Sequence, residues 1–335
     1  MRTFLIALVA ALSAAAQPIP AGPYLGQPAP GAVPELFAPG IVNTGLYTRD
    51  MAISPDGREL YFSVFLGAFA HAAIVTSRQV AGRWTDPEVA PFATDPRWRY
   101  LEPCISPDGQ AMFFASDRPE DAAATQPGPF GIWQRDRTAL GWSEPRRLGP
   151  PVNGAQPCFF PSVTLEGTLY FSREEGPRQT AIWRARKGPK GYLAPERLPS
   201  QVNGGKDRYN AFVAPDERLL ILGMTGRSDS LGGTDHYVVF RDDQDRWSEP
   251  INLGPAVNSP GNDEYSAALS PDGKFLFFMS GRPREHRFPA GEGMTLRKLQ
   301  RLAAEPGANG NAAIYWMRAD FLDVLRKGAV FTAKP

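Results

Sequence analysis

The chain has 335 residues, a formal net charge of +1 and no long run of one sign, so nucleic-acid binding or a polybasic membrane role has no electrostatic footprint. Apolar residues make up 42%, and Gly and Pro number 33 and 34, a composition of many short strands joined by turns. Length alone allows two domains; the repeats described below favour one closed domain of about 290 residues.

Residues 1–16, MRTFLIALVAALSAAA, carry one basic residue, an apolar run over 4–12 and a small-residue end. This is the pattern of a secretory signal peptide cleaved after Ala16. The run is too short for a membrane span, and no other apolar stretch approaches about eighteen residues. The mature protein is expected in the periplasm or the medium. Residues 17–33, rich in Pro, Gly and Ala, read as a flexible linker, and 328–335 as a C-terminal tail.

From residue 34 to 327 the chain repeats itself. A hairpin turn SPDG occurs at 54–57, 106–109 and 270–273, with decayed forms TLEG at 164–167 and APDE at 214–217. The turns lie roughly 50 to 58 residues apart, the period of a repeat architecture. Each is followed by an apolar strand (LYFSV, MFFAS, LYFSR, LLILG, LFFMS), then a third strand, then a segment such as RWSEPINLGPAVN. Four short strands per unit make a propeller blade. The fifth unit ends at IYWMR with no fourth strand behind it, and PELFAPGIVN at 34–43 matches the missing piece. The expected fold is therefore an all-β, five-bladed β-propeller closed by its N-terminal strand, which covers both free sheet edges. Leu296, Leu299 and Leu302 predict a short amphipathic helix over 294–304 within the last blade, capping one face or docking a partner; 319–327 predicts a second helix outside the ring.

Within SPDG, Pro presets the backbone, Asp bonds locally and Gly accepts a positive φ, so Asp56, Asp108 and Asp272 read as turn residues. The connections on the opposite face are long and irregular, above all 282–311, and such a face is the usual place for binding. Aligning the units on their turns places Asp50, Glu102, Phe160, Asn210 and Ser266 at one position of the innermost strands. Arg49, Leu101, Phe159, Tyr209 and Tyr265 stand one residue earlier, and Thr48, Tyr100, Cys158, Arg208 and Glu264 two earlier. Arg118, Arg173, Arg227 and Arg282 follow the second strands as a further ring. Converging on one mouth, these groups would suit a sugar or a peptide terminus. Alternatively, the arginines bridge blades through carboxylates such as Asp50 and Glu102.

No GxSxG, HExxH, CxxC or phosphate-binding loop occurs, and neither a metal nor a cofactor is expected. His71 and His236 fall near the loop-rich face, where a solvated or hydrogen-bonded role is favoured over a shared site. Asp242, Asp243 and Asp245 lack the Gly and distal Glu of a calcium loop and read as a polar hairpin. Cys104 and Cys158 are offset by four residues on adjacent innermost strands, roughly 13 Å at the rise of a strand, which disfavours a disulfide.

The units GGTDHYVVF, RWSEPINLGPAVN and DEYSAALSPDGKFLFFMSGR, with the closing GANGNAAIYWMRADFLDVLRK, resemble the WD-like repeats of TolB-like β-propellers over residues 34 to 327. The resemblance implies a stand-alone exported propeller. The preferred reading of its function is a monomeric, non-enzymatic protein that binds an envelope protein or glycan through its loop-rich face. The alternative is a carbohydrate-active enzyme, since five-bladed propellers also host glycosidases, with Asp50 and Glu102 or Glu264 as its carboxylate pair. Carboxylates about 5 to 10 Å apart across an open pocket favour the enzyme; carboxylates clamped by arginine favour binding.

Overall fold

The computed structural model describes residues 19–282, 291, 293–307 and 309–332. The expected signal peptide lies outside them, as do residues 283–290, 292 and 308 of the long connection after Arg282.

Five antiparallel sheets form the ring, each built outward from the central axis. Blade 1 comprises Tyr47–Ile53, Glu59–Leu66, His71–Val80 and Glu88–Val89. Blade 2 comprises Tyr100–Ile105, Ala111–Ser116, Gly131–Thr138 and Arg146–Arg147. Blade 3 runs through Cys158–Val163, Leu169–Gly176, Gln179–Ala185 and Glu196–Arg197, and blade 4 through Asp207–Val213, Leu219–Thr225, Thr234–Phe240 and Ile251–Asn252. Blade 5 takes Glu264–Leu269, Phe275–Ser280 and Ala313–Arg318 from the end of the chain and Glu35–Leu36 from its beginning. Glu35 faces Trp316 and Leu36 faces Tyr315, so the N-terminal strand closes the ring as the repeat count requires. Phe37 is fully buried against Phe277 and Trp316 at the seam.

The SPDG turns owe their shape to local bonds. The Ser hydroxyl donates to the Asp two residues on (2.5 Å in Ser54–Asp56 and Ser106–Asp108, 2.7 Å in Ser270–Asp272) and accepts the amide that opens the next strand.

A second repeated device holds the outer strands. Asn153 accepts the Ile132 amide at 2.9 Å and donates to the carbonyls of Ile132 and Leu148 at 2.8 and 2.6 Å. Asn203 does the same at Ile182 and Leu198, and Asn43 at Ile314 and Phe37; Asn258 takes both backbone groups of His236. All four are at most 7% exposed, so each satisfies buried backbone groups that water cannot reach. The recurring VN in the sequence is the trace of this clamp.

Two terminal stretches differ from expectation. Residues 19–33 are packed on the ring rather than free: Leu25 is buried, Tyr24 lies 5.4 Å from the Trp316 ring, and the Gly22 carbonyl accepts from Trp84 and Gln79. Composition could not reveal this, because the contacts are made by Leu25 and Tyr24 within an otherwise featureless stretch. The C-terminal tail adds a bridge between Phe331 and Ser248 on blade 4, and the helix Phe321–Lys327 buries Leu322 beside it. The inserted helix is Leu296–Ala303, capped by the Thr295 hydroxyl, with Leu296 71% and Leu299 50% exposed. No helix among the described residues is long and apolar enough to cross a membrane.

Candidate functional site

The channel at the axis is shaped by a backbone irregularity that all five blades share. Register shifts interrupt the innermost strands between Arg49 and Ala52, Leu101 and Cys104, Phe159 and Ser162, Tyr209 and Phe212, and Tyr265 and Ala268. Inside each bulge the residue at the aligned position is left-handed: φ is 62° at Asp50, 59° at Glu102, 49° at Phe160, 53° at Asn210 and 61° at Ser266. A left-handed residue with a Cβ costs about 1–2 kcal/mol, and strain stored at one equivalent position in every unit marks the centre of the ring.

These residues meet each other. Arg49 Nη1 lies 3.3 Å from both Asp50 Oδ1 and Glu102 Oε1 and donates to Ser266 Oγ at 3.2 Å. Asn210 donates to the same hydroxyl at 2.8 Å, and Glu102 Oε2 accepts the Phe160 amide at 2.7 Å. The Arg49, Asp50 and Glu102 side chains are 5%, 1% and 2% exposed. Neither Asp50 oxygen accepts a well-formed hydrogen bond, leaving the guanidinium as its counter-charge. Burial raises the Asp50 carboxyl above its ordinary range, and Arg49 opposes the rise. Burial likewise lifts Glu102, against Arg49 and with the push of Asp50, to about 7. One guanidinium between two carboxylates leaves a surplus negative charge, and protonation of one carboxyl is the physical answer to it.

The two ends of the channel differ. From the turn side a funnel of about 380 Å³, lined by Ile53, Cys104, Phe212 and Leu269, narrows into an 80 Å³ hollow that reaches Asp50 and Glu102. On the loop-rich side the core is covered by aromatics. Tyr47 and Tyr265 share a 2.7 Å hydroxyl contact, Tyr209 meets Tyr265 edge-on at 5.4 Å, and the Arg49 guanidinium lies 4.6 Å from the Phe65 ring and 5.3 Å from that of Tyr265. The tyrosines are partly exposed and Phe69 is 39% exposed, so this face presents an aromatic floor over a charged core.

Strand alternation sorts the remaining candidates. Residues two before the bulge turn away from the axis: Tyr100 packs with Phe114, Arg208 is 8% exposed with its Nε unpartnered, and Glu264 accepts from Ser259 and Ser280 inside blade 5. Burial raises the Glu264 carboxyl. Arg118, Arg173, Arg227 and Arg282 do not share a mouth. Each stays in its own blade over an aromatic ring: Trp133 at 5.2 Å, Trp183 at 4.6 Å, Tyr237 at 5.0 Å and Tyr315 at 5.2 Å. His71 is exposed on blade 1, whereas His236 is fully buried in blade 4, where burial, then the charge of Arg282, lowers it to about 3. Asp245 is held by Arg184 and Arg241 at 2.6 and 2.7 Å, a hairpin staple between blades. Cys104 and Cys158 are both free thiols.

Tyr47, Phe65 and Phe69 were not among the residues singled out from the sequence. Only the place of Tyr47, three before the bulge, could have flagged it; the aromatics of blade 1 reach the axis through the tertiary fold.

No protein-family model matches the chain, and no curated protein matches it in sequence. Among solved structures it is similar to a putative TolB from Agrobacterium tumefaciens, at 14% identity and a TM-score of 0.47 over 82% of this chain and 90% of that one. TolB from Acinetobacter baumannii gives 14% and 0.46 over 82% of this chain, which spans only 57% of that protein's length. An α-L-arabinofuranosidase from Lactobacillus brevis gives 13% and 0.46 over 84% and 92%. These similarities carry no functional assignment.

Proposed function

We propose that the protein is a non-enzymatic propeller that works outside the cytoplasm and binds an envelope protein or glycan through its loop-rich face. The observation that carries the reading is the Arg49 clamp. A glycosidase needs one carboxyl to deliver a proton to substrate and another to attack or activate water across an open cleft. Asp50 and Glu102 instead meet on a single guanidinium, each almost wholly buried, and Glu264 sits inside blade 5 with two serines. A buried charge cluster of this kind braces the ring at its axis, and the aromatics above it separate the carboxyls from the loop-rich face.

What remains available on that face is the floor of Tyr47, Tyr209, Tyr265 and Phe69. Aromatic rings with exposed faces and hydroxyl edges take the apolar face of a sugar or a side chain of a protein partner. Affinity capture from envelope extract, run beside a glycan-fragment titration, tests this with wild-type protein and the Phe69→Ser and Tyr209→Ala variants. Capture or saturable glycan binding that both variants weaken is expected. Hydrolysis of any glycan by the wild type that Glu102→Gln abolishes would sink the binding reading in favour of an enzyme.

A further inference from the structure

Four of the five blades carry the same latch on the flank that faces the preceding blade, and blade 1 lacks every part of it. In register, the third strands place Val75, Trp133, Trp183, Tyr237 and Tyr315 at one position, next to the residue that the Asn clamp holds in blades 2 to 5. The four rings each lie under an arginine of their own blade, and Arg173 and Arg282 also donate to the carbonyls of Val152 and Val257 in the connections entering their blades. Blade 1 has Val75 in place of the ring. Leu66, two residues past the strand partner of Thr48, occupies the place that Arg118 and Arg282 hold in blades 2 and 5. Asp95, counted from the amide that bonds Ile74 as Asn153 is from the one that bonds Ile132, stands where the clamp would be, and pairs with Arg97 instead.

The three losses fall together and leave an apolar groove of about 620 Å³ with Phe62, Val64 and Val75 on its floor and Val42, Leu46 and Trp98 at its sides. Leu66 at its rim is 54% exposed and Val89 43%. We propose that this groove is a docking site for an aromatic side chain of a partner polypeptide. The fold itself states what the space accepts: in the four other copies it is filled by an indole or phenol ring with a guanidinium over its face. Ring and cation are both amino-acid side chains there, so a Trp or Tyr with an Arg beside it is the chemistry that completes the fifth copy. A buried ring surrounded by apolar walls is the usual anchor of a protein interface, and the volume lies within the range of formed ligand sites, about 300–1,000 Å³.

The test is a titration of the full chain with a blocked hexapeptide bearing one Trp followed by one Arg, read by isothermal calorimetry. Saturable binding to the wild type is expected, lost when the peptide's Trp is replaced by Ala. Two variants fill the groove from within: Val75→Trp restores the missing ring, and Val89→Trp, at a 43% exposed position paired with Val75, fills it from the opposite wall should the first not fold. Each is expected to weaken the peptide by at least about tenfold, the loss of one interface anchor. Equal affinity for the wild type and Val89→Trp, no saturable binding to the wild type, or binding of free N-acetyltryptophanamide without binding of the peptide would each overturn the proposal.

Discussion

Replacing Arg49 by Leu removes the only counter-charge that the described residues offer to two buried carboxylates. Each pair lies at 3.3 Å, where an effective dielectric constant of 20 gives an attraction of about 5 kcal/mol. The cost of dehydrating three charged groups offsets most of that sum, and breaking a buried pair by removing one partner nets about 3–5 kcal/mol. At about pH 8 both carboxyls of the variant are pressed to ionise without a partner, and the full loss is expected. Near pH 5, below the Glu102 value of about 7, protonation relieves the repulsion and the loss should shrink to about half. Urea unfolding of wild type and variant at the two pH values measures both figures. A loss under about 1 kcal/mol at pH 8, or a larger loss at pH 5 than at pH 8, would show that Arg49 does not neutralise this core.

Glu102→Gln keeps the shape and removes the titration. Because the carboxyl rises from 4.5 to about 7 on folding, the native state holds the extra proton in that window and stability falls as pH rises through it; the variant should lose this slope in unfolding curves. His236 acts in the opposite sense. Its folded value drops from 6.5 to about 3, so the unfolded chain takes up the proton and stability falls on acidification below about 6.5; His236→Ile, the residue at that place in the other blades, should abolish this acid loss. Asn153→Ala strips partners from buried backbone groups and is expected to cost about 2–4 kcal/mol by calorimetry, with a cost near zero arguing against the clamp. Alkylation followed by mass spectrometry should find two thiols after unfolding and a native Cys158 that resists reagent; a mass two hydrogens light would refute the free-thiol assignment.

The blade count was legible because it is written in local chemistry. SPDG makes its own bonds within a few residues, and PELFAPGIVN differs little from the fourth strands it replaces, so the sequence could place Leu36 beside Tyr315. The aligned position of Asp50, Glu102 and Asn210 was also visible, since the turn that sets the alignment lies only four residues downstream. What the alignment could not show is that this position is a left-handed bulge, which turns Asp50, Glu102 and Ser266 inward and closes them around Arg49. Nor could it give the fate of Arg118, Arg173, Arg227 and Arg282. Spacing says that they recur, but the ring each one covers lies on another strand, and the absence of a fifth arginine acquires meaning only once Val75 and Leu66 are seen to line one groove.

A ring whose last blade borrows its outermost strand from the opposite terminus cannot be assembled piece by piece as it is made. Glu35 waits without its partner until Trp316 has been synthesised, and pairing across nearly the whole chain is slow to find. Until then the edge formed by Ala313–Arg318 is open to any strand that passes, a neighbouring copy included. Trimming either terminus past the seam would leave blade 5 with an exposed strand edge and the circle unfastened.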